Sequence, residues 1–345
     1  MKQVKFKKTW LKVIFVVVLL AIIAYTFRNQ AGDILAELEH TPLHIILAIL
    51  VSSVIYLLIE SWITYSLAIR YNPEFKFRQA VYNAFMVCFY RLSTLGSGNG
   101  VAAVYNLGQH GIEYSEAIGM YMVQYVMHKI SIAIFSGIFF LVNWHFMWTN
   151  FRDYGILLIA AYGLTVLICI GLILFVVSKW FHGVILNIGQ KFNKNGKLDG
   201  ALMKLETNAQ IMEVSTTRLI KDKKLLIVMI LKNLIKFVFW YGIPFLIVFG
   251  DGDLSLVNSL SITSLAVMTA AVIPTPAGIG AVEFVMTGLF SVVVGVNRAG
   301  AITILYRIAT FIFPFAAGGV AILLHRFFAR KRGKKHQKMK VGKFE

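Results

Sequence analysis

The segment that decides the fold of this 345-residue chain reads LVNSLSITSLAVMTAAVIPTPAGIGAVEFVMTGLFSVVVG, at residues 256–295. It is apolar over most of its length but is interrupted by Pro274-Thr275-Pro276-Ala277-Gly278-Ile279-Gly280. Proline removes a backbone donor and glycine admits dihedral angles that a helix excludes, so we expect a broken helix here. At membrane depth such backbone is tolerated only where protein buries it or where it lines a wet cavity. The segment therefore predicts a re-entrant hairpin inside a membrane protein.

The rest of the chain repeats this apolar character. Hydrophobic residues make up 58% of the sequence and charged residues only 14%, whereas a soluble domain carries about 25% charge. A spanning helix needs roughly 20 apolar residues, and the candidate spans are 10–27, 43–69, 116–143, 155–178, 225–249 and 300–325. A second broken segment, about 79–97, ends in the glycine-rich stretch Leu95–Gly100.

These segments predict an all-α polytopic membrane helical bundle with six full spans and two re-entrant broken hairpins, eight apolar segments in total. The two hairpins fall in opposite halves of the chain and enter from opposite sides of the membrane. This arrangement is typical of inverted-repeat transporters, whose binding site lies where the broken helices meet.

The distribution of charge orients the bundle. The net charge is +18, from 34 basic and 16 acidic residues. The segments 1–9, 70–78, 98–115, 179–224 and 326–345, with Lys12, hold 26 of the Lys and Arg residues, whereas the loops on the opposite side hold three. Because cytoplasmic loops carry the excess of Lys and Arg, both termini are predicted to be cytoplasmic.

Residues 1–325 are therefore predicted to form one integral membrane domain, followed by a basic cytoplasmic tail, 326–345. Within the cytoplasmic connector 179–224, apolar residues recur at helical spacing over 198–219. That pattern fits an amphipathic helix on the inner leaflet or a connector helix packed on the bundle. The basic surface favours anionic phospholipid headgroups as partners. For the tail, nucleic acid is a weaker alternative, and no specific nucleic acid is expected.

No motif of a soluble enzyme is found in the sequence. It contains no phosphate-binding loop, nucleophile elbow or dinucleotide fingerprint. Cys88 and Cys169 lie in apolar runs without metal-ligand spacing. We therefore expect no catalytic residue, metal or cofactor.

Seven charged side chains are predicted at membrane depth. They are Glu60, Arg91, Lys129, Lys232, Lys236, Glu283 and Arg307, and His128 is a potential eighth charge. Each charge near the bilayer centre costs roughly 2.5–3.5 kcal/mol, so these groups should be paired or face water. Two acids neutralise two bases, which leaves about three positive charges for solvent or an anionic guest.

Each of these residues also has a structural interpretation. Lys232 can snorkel to the interface, although it shares a helix face with Lys236. Glu60 can form an ion pair without any function, and His128 can be a packing residue. Glu283 either stabilises the start of a half-helix or holds Arg307 or Arg91 in place.

The stretch Ile273–Glu283 resembles the P-x-P-x-G-x-G-x-x-E signature of the lysylphosphatidylglycerol synthase transmembrane-region family. Leu305-Tyr306-Arg307, Pro314 with Gly318-Gly319, and the segment Gly111–Ala117 resemble that family too. In place of the proline and basic residues usual around the family's first hairpin, this chain has Tyr90-Arg91-Leu92 and Gly96–Gly100. The resemblance extends over nearly the whole chain and implies a bacterial, multi-pass plasma-membrane protein.

The resemblance also implies a function. It points to a flippase that translocates an anionic or aminoacylated phospholipid, such as lysylphosphatidylglycerol, between leaflets. From the surplus of charge at membrane depth, and not from the resemblance, the predicted substrate-binding residues are Arg91, Lys129, Lys232, Lys236, Glu283 and Arg307. The 20-residue tail is expected to leave no room for a soluble aminoacyl-transfer domain. One alternative is a component of a phosphatidylglycerol lysyltransferase, active with a separate aminoacyl-transfer protein in lipid modification and in resistance to cationic peptides and antibiotics. Another is a non-transporting membrane scaffold, and self-association is left open.

Overall fold

The secondary structure is helical throughout the described part of the chain. A computed structural model describes residues 41–177, 219–249 and 254–341 and isolated positions outside these ranges, except for the side chains of 175–177 and 329–341. The helices are α1 (Leu43–Ala68), α2 (Phe77–Ser93), α3 (Asn99–Gln109), α4 (Tyr114–Val142), α5 (Trp144–Phe151), α6 (Gly155–Val177), α7 (Lys223–Tyr241), α8 (Ile243–Ile247), α9 (Leu256–Val272), α10 (Ala281–Val294), α11 (Val296–Arg307) and α12 (Phe313–Val341). The predicted all-α fold is confirmed.

Six helical segments of the described residues are long and apolar enough to cross a membrane. They are Leu43–Ala68, Tyr114–Val142, Trp144–Leu174, Lys223–Ile247, Pro276–Val294 and Val296–Phe328. Five of them correspond to predicted full spans. The sixth, Pro276–Val294, is the second arm of the broken segment, and it reaches 19 residues only when the turn before Gly280 is included. The predicted span 10–27 and most of 198–219 lie outside the described residues.

Both broken segments form helical hairpins. In the first hairpin, α2 has 17 residues and α3 has 11. At 1.5 Å per residue the longer arm extends about 26 Å, which is less than the hydrocarbon thickness of about 30 Å. In the second hairpin, α9 has 17 residues and α10 has 14. The short arms support the re-entrant interpretation for both segments.

The location predicted from sequence is wrong for one arm of the first hairpin. Residues 98–115 were assigned to the cytoplasm, but most of this segment forms α3, which packs against α2 and α4. Asn106 in α3 is buried and donates a hydrogen bond to Asn83 Oδ1 in α2, at 3.1 Å. Asn106 helped to hide this helix because its polar side chain faces a neighbouring helix instead of water.

The bundle has two distinguishable ends. At one end Arg70 follows α1 and forms an ion pair with Asp222, which precedes α7, at 3.0 Å. At the other end, Asn143 after α4 donates a hydrogen bond to Asn258 near the start of α9, at 2.9 Å. We name these the Arg70 end and the Asn143 end. By the distribution of basic residues, the Arg70 end is the predicted cytoplasmic one.

Helix α9 lies in the middle of the bundle and packs closely through small polar residues. Ser259 Oγ donates to the Tyr241 carbonyl at 3.0 Å, and Ser261 Oγ donates to the Phe139 carbonyl at 3.1 Å. Small residues let membrane helices approach closely, and their hydroxyls bond across the interface. Similarly, a methyl group added at Gly318 of α12 would overlap the Phe85 carbonyl of α2. That close approach fixes the first hairpin against the last helix.

Candidate functional site

The two hairpins meet at their tips. We call residues 94–98 the first tip and residues 274–280 the second tip. A methyl group added at Gly96 would lie 3.3 Å from the Ala277 backbone nitrogen. The sequence predicted that a site would form where the broken helices meet, and the structure brings these two breaks together.

The two tips share an unusual backbone conformation. Leu95 has φ +50° and Gly96 has φ +86°, whereas Ala277 has φ +58° and Gly278 has φ +74°. Leu95 and Ala277 are the two non-glycine residues with positive φ in the described part of the chain. A left-handed conformation costs an L-residue roughly 1–2 kcal/mol. Because such strain persists where the surroundings impose it, the matching pair marks this contact as a functional candidate.

Glu283 organises the second tip. It lies in the first turn of α10, and its Oε2 accepts a hydrogen bond from the Gly280 N–H at 2.8 Å. Its Oε1 accepts a hydrogen bond from Arg307 Nε at 2.7 Å. Both sequence interpretations of Glu283 therefore hold, since one carboxylate caps the half-helix and positions the arginine.

Arg307 keeps an unused donor. Its side chain is 11% exposed, and its Nη2 atom is buried without a hydrogen-bond partner in the described structure. The guanidinium carbon lies 4.0 Å from the centroid of the Phe311 ring, so one face of the group is covered by an aromatic ring. An unsatisfied buried donor is costly, and arginine is suited to phosphate because its planar fork can donate two bonds.

A π-turn follows Arg307 directly. It spans Ile308–Ile312, and Pro314 behind it has no N–H to donate to the preceding turn. Ser53 of α1 donates instead to the Ala309 carbonyl at 2.7 Å. Turns of this kind are frequent at functional sites, and here the turn separates Arg307 from the long helix α12.

A second ion pair crosses the bundle between α7 and α1. Lys236 forms a salt bridge with Glu60, and its Nζ also donates to His128 Nδ1 at 3.1 Å. Because an ammonium group only donates, this nitrogen of His128 accepts and the ring is neutral. Gln124 completes the network by donating to Glu60 Oε1 at 2.7 Å. Lys236 is fully buried and lies 5.2 Å from the Tyr56 ring centroid.

Two predicted cations have no such partner. Arg91 lies in the last turn of α2 and is exposed, and Lys129 lies near the middle of α4 and is half-buried. Among the described residues neither side chain makes a hydrogen bond or ion pair, although Lys129 Nζ lies 5.6 Å from the Tyr125 ring centroid. Arg91 is near enough to interact electrostatically with Lys129 and Arg307. Arg91 therefore lies within electrostatic range of positive charges on two other helices.

Lys232 lies apart from this cluster. It donates to Ser66 Oγ at 2.6 Å and lies 4.1 Å from the Trp62 ring centroid. Ser66 belongs to the last turn of α1, next to the ion pair of Arg70 and Asp222. The ammonium group therefore points towards the Arg70 end, which is the geometry expected of a snorkelling lysine.

Within the described ranges the charge balance agrees with that expected from sequence, because Glu60 and Glu283 each pair with one base and three of the five bases have no carboxylate partner. Sequence reasoning missed several polar partners and the conformation of the tips. Gln124 and Ser53 carry no charge and resemble ordinary membrane-helix polar residues, so only the packing reveals their roles. Among the described residues, no group of three potential metal ligands is found.

Helices of spanning length, two broken hairpins and unpaired internal cations define a polytopic α-helical membrane protein with a polar centre. The family described as "Lysylphosphatidylglycerol synthase TM region" matches residues 9–318. The chain belongs to that family. No curated protein matches the chain.

Proposed function

We propose that this protein translocates a phospholipid bearing an anionic or aminoacylated headgroup, of the lysylphosphatidylglycerol kind, between the leaflets of a bacterial plasma membrane. The observation that carries the proposal is the free, buried Nη2 donor of Arg307 at the junction of the two hairpins. Arg91 and Lys129 add two positive charges without carboxylate partners. A lipid phosphate supplies the acceptor and the negative charge that this arrangement lacks.

Each cation has a separate role in this proposal. Arg91 and Lys129 attract the headgroup electrostatically, and Arg307 binds its phosphate directly. Glu283 holds Arg307 by the Nε atom, so the amino groups are left for the lipid. Lys236 is excluded from this set because Glu60 and His128 already occupy it, and Lys232 has a role near the membrane surface. The six residues expected from sequence thus divide into four at the site and two outside it.

The tip contact suggests how access is controlled. In this proposal, a headgroup reaches the buried Nη2 atom after the first and second tips separate. The two tips belong to different halves of the chain, as expected where two halves move against each other to give alternating access. The left-handed residues at the tips are the natural points of bending.

A leaflet-resolved assay in proteoliposomes tests the proposal. Phosphatidylglycerol with a quenchable fluorescent acyl chain is incorporated into both leaflets, and a membrane-impermeant quencher reports lipid arriving at the outer leaflet. The wild-type protein should accelerate arrival, and Arg307→Ala should slow it about 10- to 100-fold. That range corresponds to a charge-assisted hydrogen bond of about 1.5–3 kcal/mol, at about 1.4 kcal/mol per tenfold change.

Arg70→Gln is the matched control, because Arg70 is half-exposed and its ion pair with Asp222 lies at the Arg70 end. It should leave the rate unchanged. Absence of translocation by the wild-type protein would overturn the function. Equal rates for wild type and folded Arg307→Ala would overturn the residue assignment. If Arg307→Ala instead unfolds and no folded variant alters transport, the scaffold interpretation is favoured.

The family description favours a second candidate function, because it refers to a lysylphosphatidylglycerol synthase. In this alternative the chain is a component of a phosphatidylglycerol lysyltransferase and contributes to resistance against cationic peptides. Lipid extracts of expressing cells separate the two functions. A new cationic lipid that depends on this chain would support the lysyltransferase component, and an unchanged lipid composition with altered leaflet distribution would support the flippase.

A further inference from the structure

A cavity lies at the Asn143 end of the bundle. It has a volume of about 340 Å³ and lies between α4, α5 and α6. Its walls are almost entirely apolar and include Phe140, Trp144, Trp148 and Leu158, with Leu265 of α9 at its base. Its volume falls within the range of ~300–1,000 Å³ that small-molecule sites occupy. None of the charged residues of the hairpin site lines it.

Two glycines, Gly137 and Gly155, line the cavity. Gly137 of α4 faces Tyr162 of α6, and a methyl group added at Gly137 would lie 2.7 Å from the Tyr162 hydroxyl. At Gly155, the first residue of α6, an added methyl group would meet no atom within 4 Å. The Tyr162 hydroxyl donates to the Ala133 carbonyl at 3.2 Å, so this polar atom needs no guest. The interior therefore suits hydrocarbon.

The surroundings of the cavity identify its occupant. Trp144 and Trp148 stack at 5.4 Å and are each about half-exposed, as expected for tryptophans at a membrane–water interface. The adjoining face of α6 is apolar and open, with Ile156 88% exposed and Ile159 65% exposed. In a membrane protein such a face contacts lipid chains, which are therefore the apolar molecules available to fill the cavity.

The rim carries one positive charge. Arg152 lines the cavity and is exposed, and its side chain makes no ion pair or hydrogen bond with another described residue. It lies in the turn between α5 and α6, at the level of the interfacial tryptophans. An arginine at this level is complementary to a lipid phosphate, because its guanidinium can donate two bonds to phosphate oxygens.

We propose that this cavity is a separate phospholipid site that takes one acyl chain of an interfacial lipid and binds its phosphate through Arg152. The site faces the leaflet at the Asn143 end and does not depend on the proposed translocation. It would hold a resident lipid beside the central helix α9, through Leu265.

Photolabelling of the full chain in bilayers tests this proposal. Phosphatidylglycerol with a diazirine near the end of one acyl chain is reconstituted with the protein, irradiated, and mapped by peptide mass spectrometry. Labelling should concentrate on peptides that contain residues 137–162. Gly155→Leu, which places a side chain in the cavity, should reduce this labelling at least fivefold. Gly163→Leu is the matched control on the same helix, because Gly163 also has no atom within 4 Å of an added methyl group.

A headgroup comparison tests the rim. Arg152→Gln should reduce labelling by phosphatidylglycerol severalfold but leave labelling by a diacylglycerol probe, which lacks phosphate, unchanged. Equal labelling of wild type and Gly155→Leu would overturn the cavity assignment and indicate labelling by bulk lipid only. Equal loss of both probes in Arg152→Gln would overturn the phosphate contact. The measurements are repeated in Arg307→Ala, where labelling should persist even if translocation is lost, so the two proposals fail separately.

Discussion

Two ion pairs cross the interior of the bundle, and they are completed in different ways. Lys236 has a carboxylate and an imidazole as partners, and its carboxylate partner Glu60 is held in turn by Gln124. Arg307 is bound through Nε alone, and its Nη2 atom is buried without a partner. A fully satisfied polar network rigidifies a fold, whereas a partly satisfied one is costly unless it serves another purpose. From this comparison we propose a role in stability for the first pair and a role in binding for the second.

The largest effect is expected from breaking the first pair. Lys236→Met leaves the Glu60 carboxylate without its countercharge, and removing one partner of a buried ion pair costs about 3–5 kcal/mol. We expect a large drop in the thermal midpoint of the detergent-solubilised protein, measured by intrinsic fluorescence or by loss of the monodisperse peak on heating.

The double variant Glu60→Gln, Lys236→Met tests whether this loss comes from the orphaned charge. Neutral replacement of both partners should restore most of the stability, because the interior then holds no uncompensated charge. A double variant as unstable as Lys236→Met would contradict a purely structural pair. Lys232→Met is a further control, since Lys232 pairs with Ser66 and no carboxylate loses its partner.

A smaller effect, on transport more than stability, is expected from Arg307→Lys. Lysine keeps the positive charge for Glu283 but lacks the planar fork, so the donor offered to a phosphate is lost. We expect translocation in proteoliposomes to fall about tenfold, equivalent to about 1.4 kcal/mol, with the thermal midpoint nearly unchanged. A large loss of stability without loss of transport would reverse the roles of the two pairs.

The two unpaired cations should contribute less. Arg91→Gln and Lys129→Gln each remove a long-range attraction without breaking any hydrogen bond in the described structure. We expect each substitution to slow translocation a few-fold at low ionic strength and to matter less at high salt, because salt screens the exposed Arg91 most. Transport rates compared across salt concentrations provide the measurement, and an effect of Arg91→Gln that is independent of salt would argue for direct binding.

The spanning helices could be predicted from sequence, because bilayer thickness dictates the length of an apolar helix. Pro274, Pro276, Gly278 and Gly280 marked the second break correctly. The charged residues were identified because a membrane interior makes each of them conspicuous. Their partners were harder to predict, since the pairing of Lys236 with Glu60 joins residues far apart in the chain.

Two features could not be predicted, for physical reasons. Helix α3 was missed as a hairpin arm because Asn106 looks solvent-facing in sequence, although its amide bonds to Asn83. The matching tips were missed because Leu95 and Ala277 carry no sign of a left-handed conformation, which their surroundings impose. In both cases, contacts between distant segments overrule the local preference.

The smallest effect is expected at the second tip, where Ala277 has φ +58°. Ala277→Gly removes a left-handed penalty of roughly 1–2 kcal/mol but adds freedom to the unfolded chain, an opposing effect of about 0.4–1 kcal/mol. The net change in stability should be below about 1 kcal/mol, measured as a shift in thermal midpoint. Gly96→Ala is the opposite substitution at the facing tip and should be clearly destabilising, because Gly96 has φ +86° and the new methyl group would lie 3.3 Å from the Ala277 nitrogen.

If the tips only bend and do not bind lipid, Ala277→Gly leaves the discrimination between anionic and zwitterionic lipids unchanged even where it alters the translocation rate. A change in discrimination would instead place the second tip beside Arg307 as part of the binding site.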